Sequence, residues 1–149
     1  MQSGPTASLV ISFAEKLEDT STEFYDRLSK EFEKGKELFN AFGAEGKKNK
    51  VLIIRTYQET ITDALEACFC FTGLNLEDYV TTTEKDVSYP ESLQVAIELE
   101  KKATQFYSDV AEKSRSLLAT VHMALKTVGG RRRSRQAILS GLLDESRAK

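Results

Sequence analysis

The sequence predicts an all-α fold: four helices arranged as two hairpins joined by one long central crossover. Three observations point there. Of 149 residues, 40% are hydrophobic and 30% charged, with only eight glycines and two prolines, a composition that favours helices over many short strands. Apolar residues recur at steps of three and four along most of the chain. Residues 73–89 interrupt that rhythm with no sustained period of their own. The length suits one domain. We divide it into an N-terminal segment 1–8, a bundle 9–143 (hairpin 9–71, crossover 72–90, hairpin 91–143) and a tail 144–149.

Helical periodicity begins after Pro5-Thr6, where Val10, Ala14, Leu17, Ser21, Phe24 and Leu28 form one stripe. Phe32 extends the stripe and Gly35 breaks it. A second helix is predicted over 36–71, carrying Leu38, Phe39, Phe42, Leu52, Ile53, Tyr57, Ile61, Leu65 and Phe69. Gly43 and Gly46 lie inside it; each costs about 1 kcal/mol against alanine, so they mark a kink or a close packing contact. Thr72-Gly73 would end this helix. The crossover holds a helical turn at Leu76–Val80. Pro90 and Glu91 suit the first turn of a third helix with Val95, Ala96, Leu99, Ala103, Phe106 and Val110 inward. The fourth runs from near Ser116 into Leu139–Leu143, with Gly129-Gly130 as a point of kinking.

Charge and composition exclude several classes. Twenty-one basic against twenty-three acidic side chains give a net charge of −2, so no global field draws nucleic acid or anionic lipid. The uncharged apolar clusters, Val51–Ile54 and Ala67–Phe71, fall far short of the roughly 20 residues of a membrane span. Residues 1–8 lack a basic segment leading into an apolar one, so a secretory signal is not expected. Cys68 and Cys70 are too close for an ordinary disulfide and are not a Cys-x-x-Cys pair. The expectation is a soluble cytoplasmic protein. Gly-rich phosphate loops and serine-nucleophile motifs are absent from the sequence.

An internal repeat carries the chemistry. A shift of 82 residues lays Ala14–Asp26 over Ala96–Ser108, with six of thirteen positions identical, among them Glu18/Glu100, Phe24/Phe106 and Tyr25/Tyr107. Ile11, Glu18, Tyr25 and Phe32 are seven apart and lie nearly on one line of the first helix, as do Leu93, Glu100 and Tyr107 on the third. Either the two glutamates stand at the edge of the stripe and reach solvent, or they face each other across the bundle.

At these residues the sequence resembles the ferritin-like superfamily, in particular its rubrerythrin-related branch. The shared pattern is Glu, five intervening residues, then Phe-Tyr, present at Glu18–Tyr25 and again at Glu100–Tyr107. The resemblance covers roughly residues 9–143. It implies an up-down-down-up bundle in which the first and third helices each supply a glutamate, and the second and fourth each a Glu-x-x-His, to a pair of iron or manganese ions. The second half of that ligand set is missing. Gly46 and Asn49 stand where the second helix would carry Glu and His, and arginines of 124–139 stand near the fourth-helix positions. The one histidine, His122, has Ala119 three residues before it, so no Glu-x-x-His exists. His122 reads as a packing or surface residue.

Two inward carboxylates need compensation, because burial penalises each charge and repulsion adds to it. The expected substitute for metal is an arginine, Arg132 or Arg133, pairing with both Glu18 and Glu100, with Tyr25, Tyr107 and Asn49 completing an interior polar network. The competing interpretation makes Arg131, Arg132, Arg133 and Arg135, extended by Lys47, Lys48 and Lys50, a solvated basic patch or a nucleic-acid site, although no aromatic platform is interleaved. The preferred reading is a non-catalytic binding or structural module with no cofactor, self-associating as a homodimer or other homo-oligomer through an extension at Thr60–Phe71. The enzymatic alternative is an atypical iron or manganese site using Glu18 and Glu100 with Glu59 or Asp63. The acidic run Glu59, Asp63 and Glu66 otherwise reads as a solvated face.

Overall fold

The computed structural model describes residues 4–61, 70–83, 87–114 and 119–148. Four α-helices run through these described residues: α1 (Ala7–Glu31), α2 (Lys36–Thr60), α3 (Tyr89–Lys113) and α4 (Ala119–Ala148). Among the described residues there is no strand, only an isolated bridge between Thr6 and Cys70.

Local chemistry sets the ends of α1. Thr6 caps its start by accepting the Leu9 N–H at 3.2 Å. Its stripe (Val10, Ala14, Leu17, Ser21, Phe24, Leu28) is buried, and Phe32 leaves it in extended backbone. Gly35 then turns the chain with φ +82°, a conformation open to glycine. A side chain there would also press on the Phe39 ring and the Tyr89 hydroxyl, both at 3.1 Å.

The predicted extension of α2 to Phe71 is corrected. The helix stops at Thr60, and Ile61 is extended (φ −92°, ψ 114°). Thr60, Ile61 and Thr62 are consecutive β-branched residues, stiff in a helix, and the Thr60 hydroxyl turns back onto the Thr56 carbonyl. Residues 62–69, with Asp63, Glu66 and Cys68, lie outside the described residues, as does most of the Thr60–Phe71 extension proposed for self-association. Gly73, expected to end the helix, instead takes φ +82° in a turn after the Cys70 bridge.

The crossover is pinned at both ends and in the middle. The Phe71 N–H donates to Pro5 O at 2.8 Å, tying its start to the N-terminus. A 3-10 turn at Leu76–Tyr79 then sets the Tyr79 ring 5.3 Å from Phe106 and 6.5 Å from Phe13, with its hydroxyl donating to Asp109 at 2.6 Å. At the far end Tyr89 packs on Phe32 and Phe39, and Ser88 caps α3 by accepting the Glu91 N–H while donating to its carboxylate.

α4 runs on through Ala148, which corrects the predicted free tail 144–149. Leu143 is buried, and no Gly or Pro follows it to break the helix. Neither Gly43 and Gly46 nor Gly129-Gly130 interrupts its helix. A Cβ on Gly46 would overlap the Thr22 hydroxyl, and one on Gly129 would come within 3.1 Å of Tyr107 Cβ, so close helix contact explains both.

Side-chain pairings define direction. The Tyr25 end of α1 meets Phe39 and Phe42 near the start of α2, while Val10 and Ile11 share a cavity wall with Ile53 and Tyr57 near its end. α2 therefore runs against α1. Tyr25 bonds Glu100 and Tyr107 bonds Glu18, so α3 also runs against α1. The contacts of Tyr107 with Gly129 and of Ala111 with His122 turn α4 against α3. The order is up, down, down, up. α1 packs chiefly on α2 and α3 on α4, and the two pairs close around a shared aromatic and aliphatic core. No helix among the described residues is long and apolar enough to cross a membrane.

Candidate functional site

At mid-bundle the core turns polar. Glu18 of α1, Glu100 of α3, and Arg132 and Arg135 of α4 are at most 1% exposed. Each glutamate lies three or four residues from buried stripe neighbours (Ala14 and Ser21; Ala96 and Ala103), so helical geometry turns it inward.

The Arg132 guanidinium serves both carboxylates. Its Nε is 2.9 Å from Glu100 Oε1 and its Nη1 3.5 Å from Glu18 Oε1, charge contacts without hydrogen-bond alignment. Its Nη2 donates to Ser21 Oγ at 2.7 Å, and Ser21 donates to the Leu17 carbonyl at 2.7 Å. Arg135 approaches from one turn further along α4. Its Nη1 is 3.6 Å from Glu100 Oε2, its Nη2 donates to Phe42 O at 3.0 Å, and its Nε donates to Glu45 at 2.8 Å. The same guanidinium lies 5.1 Å from the Phe42 ring centre and 5.7 Å from that of Tyr25.

The repeated tyrosines cross over. Tyr25 donates to Glu100 Oε2 and Tyr107 to Glu18 Oε2, the latter at 2.6 Å, so each half of the chain supplies a proton donor to the acid of the other. Asn49 Nδ2 donates to Glu18 Oε1 at 3.2 Å, and Arg131 donates to Asn49 Oδ1 at 2.8 Å. Burial, reinforced by the facing carboxylates, holds both phenols well above their usual range. Burial opposes the charge of Arg132, but Glu100 and Glu18 outweigh it and hold the guanidinium protonated.

Two buried carboxylates thus meet two buried guanidiniums, with Glu45, 35% exposed, as a third acid at the rim. Such a site can lock helices in register, with Glu18 and Glu100 both closed to solvent. It does not fit the iron or manganese pair that the ferritin resemblance implies. Guanidinium nitrogens already contact the glutamate oxygens. α2 and α4 present Asn49 and Arg132 to these acids, neither of them an imidazole or a carboxylate. Among the described residues, no three His, Cys, Asp or Glu side chains gather closely enough to hold a metal ion.

Of the sequence candidates, the structure brings Glu18, Glu100, Tyr25, Tyr107, Asn49 and Arg132 together. Arg133 is corrected: it is exposed, one helical step of about 100° away from Arg132. The single basic patch is also corrected, because Arg132 and Arg135 are buried, Arg131 bonds Asn49, and Lys50 pairs with Asp19 at 3.0 Å. Lys47 and Lys48 are exposed on α2. Glu59 is exposed near the end of α2, and Asp63 lies outside the described residues. Arg135 and Ser21 as members of the charge core, and Glu45 beside them, were not anticipated. The signal was present: Arg135 is three residues beyond Arg132 and Ser21 three beyond Glu18, each on its neighbour's helix face. Fold and site together define a helical bundle stapled by an arginine–carboxylate core. Comparison of the chain with protein families, with curated proteins and with solved structures finds no match.

Proposed function

We propose that the chain is a ferritin-like four-helix bundle in which arginine stands in place of the di-metal centre, and that it serves as a non-catalytic binding or structural module. The observation that carries this reading is the Arg132 guanidinium lodged between Glu18 and Glu100. Three further features support it. The helices run up, down, down, up, with a long crossover between two hairpins, as in that superfamily. The paired glutamates lie on the first and third helices, with tyrosines bonded reciprocally across them. On the second and fourth helices, Gly46-x-x-Asn49 and Gly129-x-x-Arg132 occupy the spacing that Glu-x-x-His would take. A Cβ on Gly46 would stand 3.8 Å from Glu18 Oε1, and Asn49 and Arg132 both contact Glu18. Positive charge that a metal pair would supply is here part of the polypeptide, permanent at ordinary pH.

Elemental analysis tests this directly. Protein purified without chelator should carry iron and manganese far below one ion per chain, before and after incubation with either metal. Stoichiometric metal that a Glu18→Ala, Glu100→Ala double variant fails to bind would overturn the reading.

A further inference from the structure

We infer that the cleft between α3 and α4 beside Gly129-Gly130 is a binding site for a small phosphate monoester. It stands on residues other than the arginine core and does not depend on the reading of that core. The cavity measures about 230 Å³ and is walled by two facing stripes. α4 contributes His122, Lys126, Gly130 and Arg133, at successive steps of four, four and three; α3 contributes Thr104 and Ser108, four apart.

Two features suit an anion. Lys126 and Arg133 are exposed cations on the same wall, set against one acid, Glu112, among the described lining residues, and a phosphate monoester carries close to two negative charges at neutral pH. Gly130 leaves its stretch of wall bare, with no atom within 4 Å of where a Cβ would stand.

The repeat supplies the control. Thr22 and Thr104 are equivalent positions 82 residues apart. In the first half the Thr22 hydroxyl is covered by the close approach of Gly46. In the second half Thr104 lines the open cleft, and its hydroxyl oxygen is buried without a hydrogen-bond partner. A phosphate lodged in the open cleft would neutralise both cations at once. The volume is below the roughly 300–1,000 Å³ of drug-sized ligand sites, which limits the occupant to a phosphate bearing a few carbons.

Isothermal titration calorimetry with O-phosphoserine and with inorganic phosphate, near physiological salt, tests this. The expected result is one saturable site per chain, weakened about tenfold or more by Lys126→Ala with Arg133→Ala, and equally by Gly130→Leu, which fills the cleft without touching a charge. Lys47→Ala with Lys48→Ala on α2 should leave it unchanged. Tighter binding of the monoester identifies an esterified phosphate and equal binding the free ion, and both support the site. No saturable binding of either probe up to about 10 mM, or equal weakening by the α2 variant, would overturn it.

Discussion

At Arg132 one guanidinium meets both inward acids, so truncating it leaves Glu18 and Glu100 facing each other with Arg135 as their remaining buried cation. Breaking a buried pair from one side usually costs about 3–5 kcal/mol, because the orphaned charge keeps its desolvation penalty. Arg132→Met should therefore lower the stability measured by urea unfolding by about that amount, and Arg133→Met should stay within about 0.5 kcal/mol of wild type. Adding Glu18→Gln and Glu100→Gln to Arg132→Met should recover part of the loss, a coupling of about 1 kcal/mol or more. Strictly additive losses would show that the three side chains do not act as one network. Much of this was legible in the residues. Glu18 and Tyr25 sit seven apart on an apolar line, and the line recurs at Glu100 and Tyr107. Choosing between Arg132 and Arg133 was not legible, because adjacent residues differ by about 100° around a helix and the phase of α4 is set by packing on the other three. Arg135 was hidden inside a run that looked like solvated charge.

The helices themselves were readable from period, whereas their ends and glycines required neighbours. The stop of α2 at Thr60 competes with an apolar pattern that continues through Leu65 and Phe69, and periodicity alone does not reveal where a helix runs out of partners. Gly43, Gly46 and Gly129-Gly130 look alike in sequence but differ in surroundings. Gly130 and Gly141 have no atom within 4 Å of where an added methyl would stand, so Gly130→Ala and Gly141→Ala should each stabilise by up to about 1 kcal/mol through helix propensity and reduced chain freedom. Gly46→Ala must displace the Thr22 hydroxyl beneath it, and Gly129→Ala must push on Tyr107 at its Cβ, where the side chain has least freedom to move. Both should destabilise by about 1–3 kcal/mol, as overpacking does. Thermal unfolding of the four single variants would sort them into two groups. A gain at Gly46 or Gly129 would mean that the helices separate there more easily than their contacts suggest.

Across the whole molecule, two hairpins and a long connection follow from periodicity and its interruption, but relative direction does not. The structure fixes it through Tyr25 on Glu100 and Tyr107 on Glu18, a reciprocity that α1 and α3 satisfy by running oppositely. That arrangement commits the fold to two neutral phenols at its centre, with a consequence at high pH. Unfolded tyrosines ionise near pH 10, while Tyr25 and Tyr107 hold their protons well above that, through burial first and the adjacent carboxylates second. Above about pH 10 the folded state therefore binds more protons than the unfolded one, so the contribution is fully present below that pH and declines as pH rises. Each such phenol contributes a slope of about −1.4 kcal/mol per pH unit, about −2.7 for the pair. Tyr79 and Tyr89 are also raised, by burial first, and add to the same trend. Tyr25→Phe with Tyr107→Phe isolates the central pair: the variant should be less stable at neutral pH, where Glu18 and Glu100 each lose a donor, yet decline more shallowly in urea unfolding between about pH 9 and 11. An unchanged alkaline slope would mean that these phenols ionise as readily in the folded bundle as in the open chain, and that the polar centre is wetter than its geometry allows.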